Sequence, residues 1–450
     1  MTALSRPAAP RADAAVDVVC AGESMVTFRP TVPGRLADVP AFERGIGGAE
    51  SNVACTLAAA GHRTRWVSRV GADGFGDHLL AAIAAYGVDV TAVARDPRRP
   101  TGIYFRTAGE RATAYGPTAT GTDAARADSG PTGSVPAAAT ASARPADGPG
   151  ADRAVPGGAD PARPAPEQGL GTAAGRPEAA PSATAGEPLA EVAYYRAGSA
   201  ASAMSPATMD RAALLSGRVL HLSGITAALS ADCLALLYEL TGPEAGRPLL
   251  SFDVNYRANL WSSEPGDVEA ADAFARAEAV PTAVSEGSPG RTAPFTARGP
   301  RVLLELARRA DLVFVGEDEA EAAWGVAGGP GAVRAVLPEP AVLVVKQGAD
   351  GATAYDGEGG GVHEPAPRVD VTASVGAGDA FAAGFLSATL RGLPLRERLR
   401  HGHLTAAATL TTAHDAAPPP PRAEADRLVA LPDADWAALH ITPATFGGRP

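Results

Sequence analysis

Gly376, Ala377, Gly378 and Asp379, within the stretch TASVGAGDAF, set a small-residue turn directly against a carboxylate and an apolar, helix-like run. A helix that starts at such a turn leaves several backbone N–H groups unpaired. With the helix dipole, they form a site for an anion. A carboxylate repels an anion, so Asp379 is out of place in a pure binding loop. It has a role if it takes the proton from a hydroxyl that attacks a phosphoryl group held over the turn. The amides then stabilise the transferring charge while the carboxylate serves as general base. A plain helix N-cap aspartate after a glycine turn accounts for the same letters equally well. These four positions leave both readings open.

A second loop, KQGADG, follows an apolar run and carries Gly348 and Gly351. Two glycines there suit close approach of a nucleotide, although a hairpin turn has the same composition. No Gly-x-x-x-x-Gly-Lys-Ser/Thr stretch occurs, which excludes a P-loop protein, and the protein-kinase signature is missing as well. Lys346, which opens this loop, is the only lysine in 450 residues. A composition weighted to Ala, Arg, Pro and Gly explains the scarcity, and leaves the survival of this one lysine as a mild signal.

The elements that must position these loops alternate. VDVVCAGE reads as a buried strand, and GGAESNVACTLAAAG as a Gly-Gly turn with a small-residue helix that stops at Gly61. RWVSRVG is the next strand and GDHLLAAIAAYGV an amphipathic helix. The rhythm continues through RVLHLSG, LLSFDVN, ADLVFVG and AVLVVKQG. Strands separated by helices predict an α/β fold: a mostly parallel central sheet with helices on both faces. TGIYFRTAG and EVAYYRAGS break the rhythm and predict two antiparallel strands of a small β lid, at 101–111 and 188–200. Ligands of an open parallel sheet bind beyond the C-terminal strand ends, where most of these loops fall, so one cleft is expected.

Composition bounds the rest. Gly 51 and Pro 40 are concentrated in segments poor in core-forming residues. Residues 112–187 lack the apolar content to offset ordering entropy and read as a disordered insert at the tip of the lid hairpin. Loop closure tolerates such length, because its cost grows only logarithmically. A weaker polar insert is expected at 262–300, with tails at 1–14 and 421–450 around a domain at 15–420. The net charge of −11 argues against a nucleic-acid partner. Cys20, Cys55 and Cys233 stand singly, against a disulfide framework or zinc site and for a reducing compartment. With no apolar run of membrane-spanning or signal-peptide length, no membrane partner and a cytoplasmic location are expected.

GGAESNVA, DVNYR, VVKQGADG and GAGDAFAAGF, in that order over nearly the whole ordered chain, resemble the ribokinase-like (PfkB) carbohydrate kinases. AGESM, TGIYFR, YYRAGSAAS, LHLSGIT and DVNYRANLW are similar to the 2-keto-3-deoxygluconate kinase branch of that family. The resemblance implies the ribokinase-like three-layer fold and transfer of the ATP γ-phosphoryl group, with Mg²⁺, to a sugar acid's terminal hydroxyl. It implies Asp379 as base, with Gly376, Ala377 and Gly378 as the anion hole. Gly48, Ala49, Glu50 and Asn52 would bind sugar hydroxyls, since a side-chain amide both donates and accepts. Tyr104, Tyr194, Arg196 and Arg257 would line the substrate's other end, with Asp415 contacting it after the last long helix. Independently, an acid substrate calls for arginine, which pairs bidentately with carboxylates, although a surface salt bridge explains each arginine as readily. Asn255, Lys346, Gly348, Gly351 and His403 would sit on the nucleotide side, and Glu319 would order metal-bound water. Pairing of two chains through the lid is the implied assembly.

Three positions depart from the family's pattern. Ala373 stands where the family usually has an aspartate that helps hold a monovalent cation, so that cation is left open. Gly316 replaces the asparagine of Asn-x-x-Glu, with Glu319 retained. His403 replaces an asparagine near the nucleotide, and with His401 it is read as a helix-surface pair. Alternatives to a sugar-acid kinase are a kinase for fructose or 5-dehydro-2-deoxygluconate, and a sugar-acid-binding pseudokinase.

Overall fold

The main sheet has eight strands, in the order β14-β13-β12-β11-β10-β9-β1-β4. They are β1 (Val16–Ala21), β4 (Thr64–Val67), β9 (Gly217–Ser223), β10 (Leu249–Asp253), β11 (Leu312–Gly316), β12 (Val342–Lys346), β13 (Ala352–Tyr355) and β14 (Gly361–Glu364). From β4 to β12 all pairings are parallel, and the hairpin β12–β13–β14 closes one edge antiparallel. This computed structural model describes residues 15–107, 192–261, 299–357, 360–413 and 417–446. Asp415, the tail 1–14, the insert 112–187 and all but the last two residues of 262–300 lie outside the described residues.

The strand pleat splits the core into two layers. On β11, Val313 and Val315 face one way and Leu312 and Phe314 the other; Leu343, Val345 and Val344 divide likewise on β12. One face is covered by α1 (Ala49–Ala59), α2 (Gly74–Ala85) and α6 (Ala377–Leu390). The other is covered by α3 (Ala231–Leu240), α4 (Arg301–Ala307) and α5 (Glu317–Trp324). Near-continuous apolar strands are what a sheet buried on both faces requires.

The lid is a four-stranded sheet ordered β3-β2-β7-β8, made of β2 (Met25–Pro30), β3 (Phe42–Gly47), β7 (Ile103–Arg106) and β8 (Val192–Tyr195). β7 and β8 pair antiparallel, Tyr104 opposite Tyr194, as the aromatic segments predict. The lid also draws on β2 and β3, which carry no comparable signal. RWVSRVG proves to be two strands: β4 joins the main sheet, and β5 (Arg69–Gly71) pairs with β6 (Ala94–Asp96) in a small ribbon.

The expected tail at 421–450 is corrected. Helices α8 (Arg422–Val429) and α9 (Asp433–Ala437) fold back, and β16 (His440–Ile441) pairs with β15 (Arg368–Val369). Trp436 is fully buried beside α7 (Leu395–Leu410), its indole N–H donating to the Pro365 carbonyl at 2.9 Å and its ring beneath Arg400. Ala425, Leu428 and Val429 sit at i, i+3, i+4 and make α8 amphipathic. Four preceding prolines and a charged outer face conceal that pattern.

Candidate active site

Neighbouring strands deliver their last residues to one edge of the sheet: Asp253 from β10, Gly316 from β11 and Lys346 from β12. Lys346 reaches across β11 and donates from Nζ to both oxygens of Asp253, at 3.0 and 3.1 Å. Burial disfavours the ammonium charge, but Asp253, Glu319 and Asp379 outweigh it and raise the Lys346 pKa. This lysine is therefore a fixed positive charge set among three carboxylates.

Helix α6 opens over that charge. Gly376 is its N-cap, with φ 79°, a left-handed conformation that favours glycine. No side chain caps this end, and the Ala377 amide makes only a long 3.4 Å bond to the Ser374 carbonyl. At Gly378 a Cβ would meet only Lys346 Nζ, at 3.6 Å, which leaves open space above the turn. Upstream, the amide of Thr372 donates to the Leu410 carbonyl at 2.7 Å and ties the loop to the end of α7.

Asp379 follows in the first turn, partly buried, and accepts a hydrogen bond from Asn52 Nδ2 at 2.9 Å. Burial raises its carboxyl pKa to about 7, helped by the Asp253 charge and opposed by the Asn52 bond, Arg257 and Lys346. A carboxylate poised near neutrality is suited to accept a proton. Asn52 comes from the first turn of α1, whose N-cap is Gly48. A Cβ at Gly48 would lie 2.3 Å from the Glu23 carbonyl, so the backbones can approach only because the residue is glycine. The side-chain oxygens of Asn52 and Asn255 are buried, and neither has a hydrogen-bond partner among the described residues. Asn255 also holds φ 42°, a strained value for a residue with a Cβ, of the kind that gathers at functional sites.

Other expected residues fall around this centre unevenly. Glu319 bonds the Gly316 amide at 2.7 Å through one oxygen and meets Arg257 at 3.3 Å through the other. Arg257 stays half exposed and acts on Asp379. Gly348 and Gly351 shape the β12–β13 turn with φ 59° and 119°. Tyr104 is buried in the lid and stacks on Tyr194 at 5.4 Å, with Arg196 over the Tyr194 ring.

Arg196 is not a free cationic fork. It pairs with buried Glu23 at 2.5 Å, and Glu23 also accepts from Ser199 at 2.9 Å. Glu50 is fully buried below the cleft and accepts from Ser223 and Thr226 at 2.7 and 2.8 Å. It packs under Gly22 as a strut between α1 and the strand ends, beside buried Ala49. His403 is also buried, against Phe381, with Nε2 on the Glu364 carbonyl at 3.0 Å. The expected surface pair is thus corrected: His401 and His403 are both interior. Sequence reasoning missed Asp253 and Glu23. The signal for Asp253 was a carboxylate at a buried strand end in a chain with one lysine to answer it.

Set against known protein families, residues 15–127 and 292–422 match the pfkB family of carbohydrate kinases. The chain belongs to that family. It is 28% identical over 393 residues to a 2-dehydro-3-deoxygluconokinase of Bacillus subtilis (strain 168), covering 86% of this chain and 87% of the relative. A 2-dehydro-3-deoxygluconokinase of Thermoproteus tenax is 25% identical over 390 residues, 86% of each chain. The fold is shared with an uncharacterized sugar kinase of Pyrococcus horikoshii solved in complex with ATP, at TM-score 0.57 and 18% identity, covering 93% of this chain and 99% of that one. The pfkB protein described here is therefore a sugar kinase, a phosphotransferase with an alcohol acceptor. Among its described residues no helix is long and apolar enough to cross a membrane.

Proposed function

We propose that this kinase transfers the γ-phosphoryl group of ATP to the terminal hydroxyl of 2-keto-3-deoxygluconate, giving 2-keto-3-deoxy-6-phosphogluconate. The carrying observation is Asp379, held by Asn52 at the uncapped head of α6 with its pKa near 7. Asp379 takes the hydroxyl proton, while the amides of Gly376, Ala377 and Gly378 and the Lys346 charge offset the charge developing on the phosphoryl oxygens. Open space at Gly378 fits a phosphate. The turn glycines Gly348 and Gly351 keep the nucleotide side free of side chains. Mg²⁺ favours oxygen donors and a few carboxylates, so Asp253 and Glu319 fit it as water-mediated partners. Bound there, it would supply charge neutralisation. Arg257, half exposed near Asp379 and Glu319, would meet the acid end of the substrate, with Tyr104 and Tyr194 closing from the lid. Pairing of two chains through the lid belongs to the same proposal, since its outer strand β8 exposes Tyr194 and Tyr195.

The curated relatives named for the same activity support the acid substrate. One observation favours a neutral sugar such as fructose: Glu23 already answers Arg196, leaving one arginine fewer for a carboxylate. ADP release measured over keto-sugar acids and neutral sugars decides between them. The keto acid is expected to show the highest kcat/KM; a neutral sugar that turns over better overturns the assignment.

A further inference from the structure

The far ends of α1 and α6, away from the catalytic cleft, border a solvent-open cavity of about 330 Å³. Its walls are the last turn of α1, the later half of α6, the middle of α7 and the proline run leading into α8. Small-molecule sites start near this size, at about 300 Å³. Ser387 lines it, eight residues beyond Asp379 on the same helix, which at 1.5 Å per residue separates them by about 12 Å. The cavity is therefore distinct from the site of phosphoryl transfer.

Its lining is polar and positive. Arg391, Arg422, His62 and His401 all face it. Among the described residues Asp426 pairs with three of them, at 2.7 Å from Arg391, 3.3 Å from His401 and 3.8 Å from Arg422. The Asp17 charge also acts on His62. The Arg422 side chain is 72% exposed, so its hold on Asp426 is loose. Helix α8 starts here after Pro421 without a side-chain cap, and its first amides turn a positive end to the space. The carbonyl end of α1 opposes that with a similar partial charge, about half a unit. The last turn of α6, capped by Arg391, adds a second carbonyl end, so the helix ends together contribute about half a negative charge. Two lining guanidinium groups against the Asp426 carboxylate still leave the wall positive. The histidines register that field. Burial lowers the His62 pKa, and Arg422, Arg218 and Arg391 deepen the shift against Asp17; burial and Arg391 bring His401 to about 4. Hydroxyls complete the wall: Ser387 Oγ lies 2.8 Å from His62 Nε2, and Thr56 lines the same space.

We propose that this cavity is a second ligand site, for a small phosphorylated metabolite whose phosphate meets Arg391 and Arg422 and whose hydroxyls meet Ser387 and Thr56. Planar guanidinium groups suit phosphate, and the cavity has room for more than the phosphate alone. The assignment is independent of which sugar the kinase phosphorylates.

The test is calorimetric titration of the full chain saturated with ATP and free of sugar, so that the amides of Gly376–Gly378 are already engaged. Inorganic phosphate and glucose 6-phosphate are the probes. Both are expected to bind saturably, the ester at least tenfold tighter. Arg422→Glu should weaken both at least tenfold and leave ATP affinity unchanged, while Arg422→Lys keeps most of the binding. Arg422 is exposed, so these variants are expected to fold; Arg391→Met checks the inner wall. Absence of saturable binding up to about 10 mM, or equal affinity in Arg422→Glu, overturns the site. An ester that binds no tighter than phosphate overturns the metabolite class.

Discussion

Asp379 combines two demands that pull against each other. Its carboxyl pKa is raised from 3.8 to about 7, chiefly by burial, so the native protein holds this proton more tightly than the unfolded chain does. The associated stability is complete below about pH 4 and is lost as pH rises through about 7. Activity runs the other way, because only the ionised group accepts a proton. We expect kcat/KM to climb as pH passes about 7 and then level off. Asp379→Asn should lower kcat by about 10²–10⁴-fold with ATP affinity largely kept, and should melt higher than the parent at pH 8. A near-normal rate in that variant would sink the base assignment. Asn52→Ala removes a hydrogen bond that favours the ionised form, so the inflection of the pH profile should move to higher pH. A profile that stays in place would mean Asn52 serves binding alone. Much of this centre was legible in the letters, because a glycine turn before an aspartate restricts the chemistry. The coupling to Asp253 and Lys346 was less so, because it depends on which strands are neighbours.

Glycines at the loop ends separate fold from function at the scale of elements. Gly351 holds φ 119°, and a Cβ there would stand 2.2 Å from the Glu364 carbonyl, fixed backbone that cannot move aside. Gly351→Ala should therefore cost at least about 1–3 kcal/mol of stability, seen as a lower melting temperature. Gly378 has no such crowding; its nearest neighbour would be Lys346 Nζ at 3.6 Å. Gly378→Ala should fold as well as the parent, since alanine favours a helix by up to about 1 kcal/mol, yet place a methyl group where a phosphoryl oxygen is expected. Turnover should fall at least about tenfold with the melting temperature unchanged or raised. Similar losses of stability in both variants would show that the α6 turn is structural only. The sequence marks both positions as glycine; only the strand pairings tell why each is needed.

The whole molecule depends on a C-terminal segment whose letters read as loose. Composition was a sound guide to the layers of the main sheet, where β11 and most of β12 are continuous apolar runs and β1 is broken only by Asp17. It failed after Pro421, because short helices with three or four apolar residues each have no periodicity strong enough to stand out from a charged background. Their burial comes from what they meet: α7 offers Leu404 and Ala407, and Arg400 lies over Trp436 while pairing with Glu364 at 2.7 Å. That carboxylate belongs to β14, so the C-terminal helices brace the sheet edge that carries the Gly351 turn. Trp436→Ala removes a fully buried indole and its hydrogen bond to Pro365. It should cost about 3–5 kcal/mol, read from urea unfolding with the slope unchanged. Loss of affinity for ATP should accompany it only as the protein unfolds, because Trp436 lies on the far side of His403 from the catalytic turn. A variant that unfolds at the parent's midpoint would return residues 422–446 to the status of a tail.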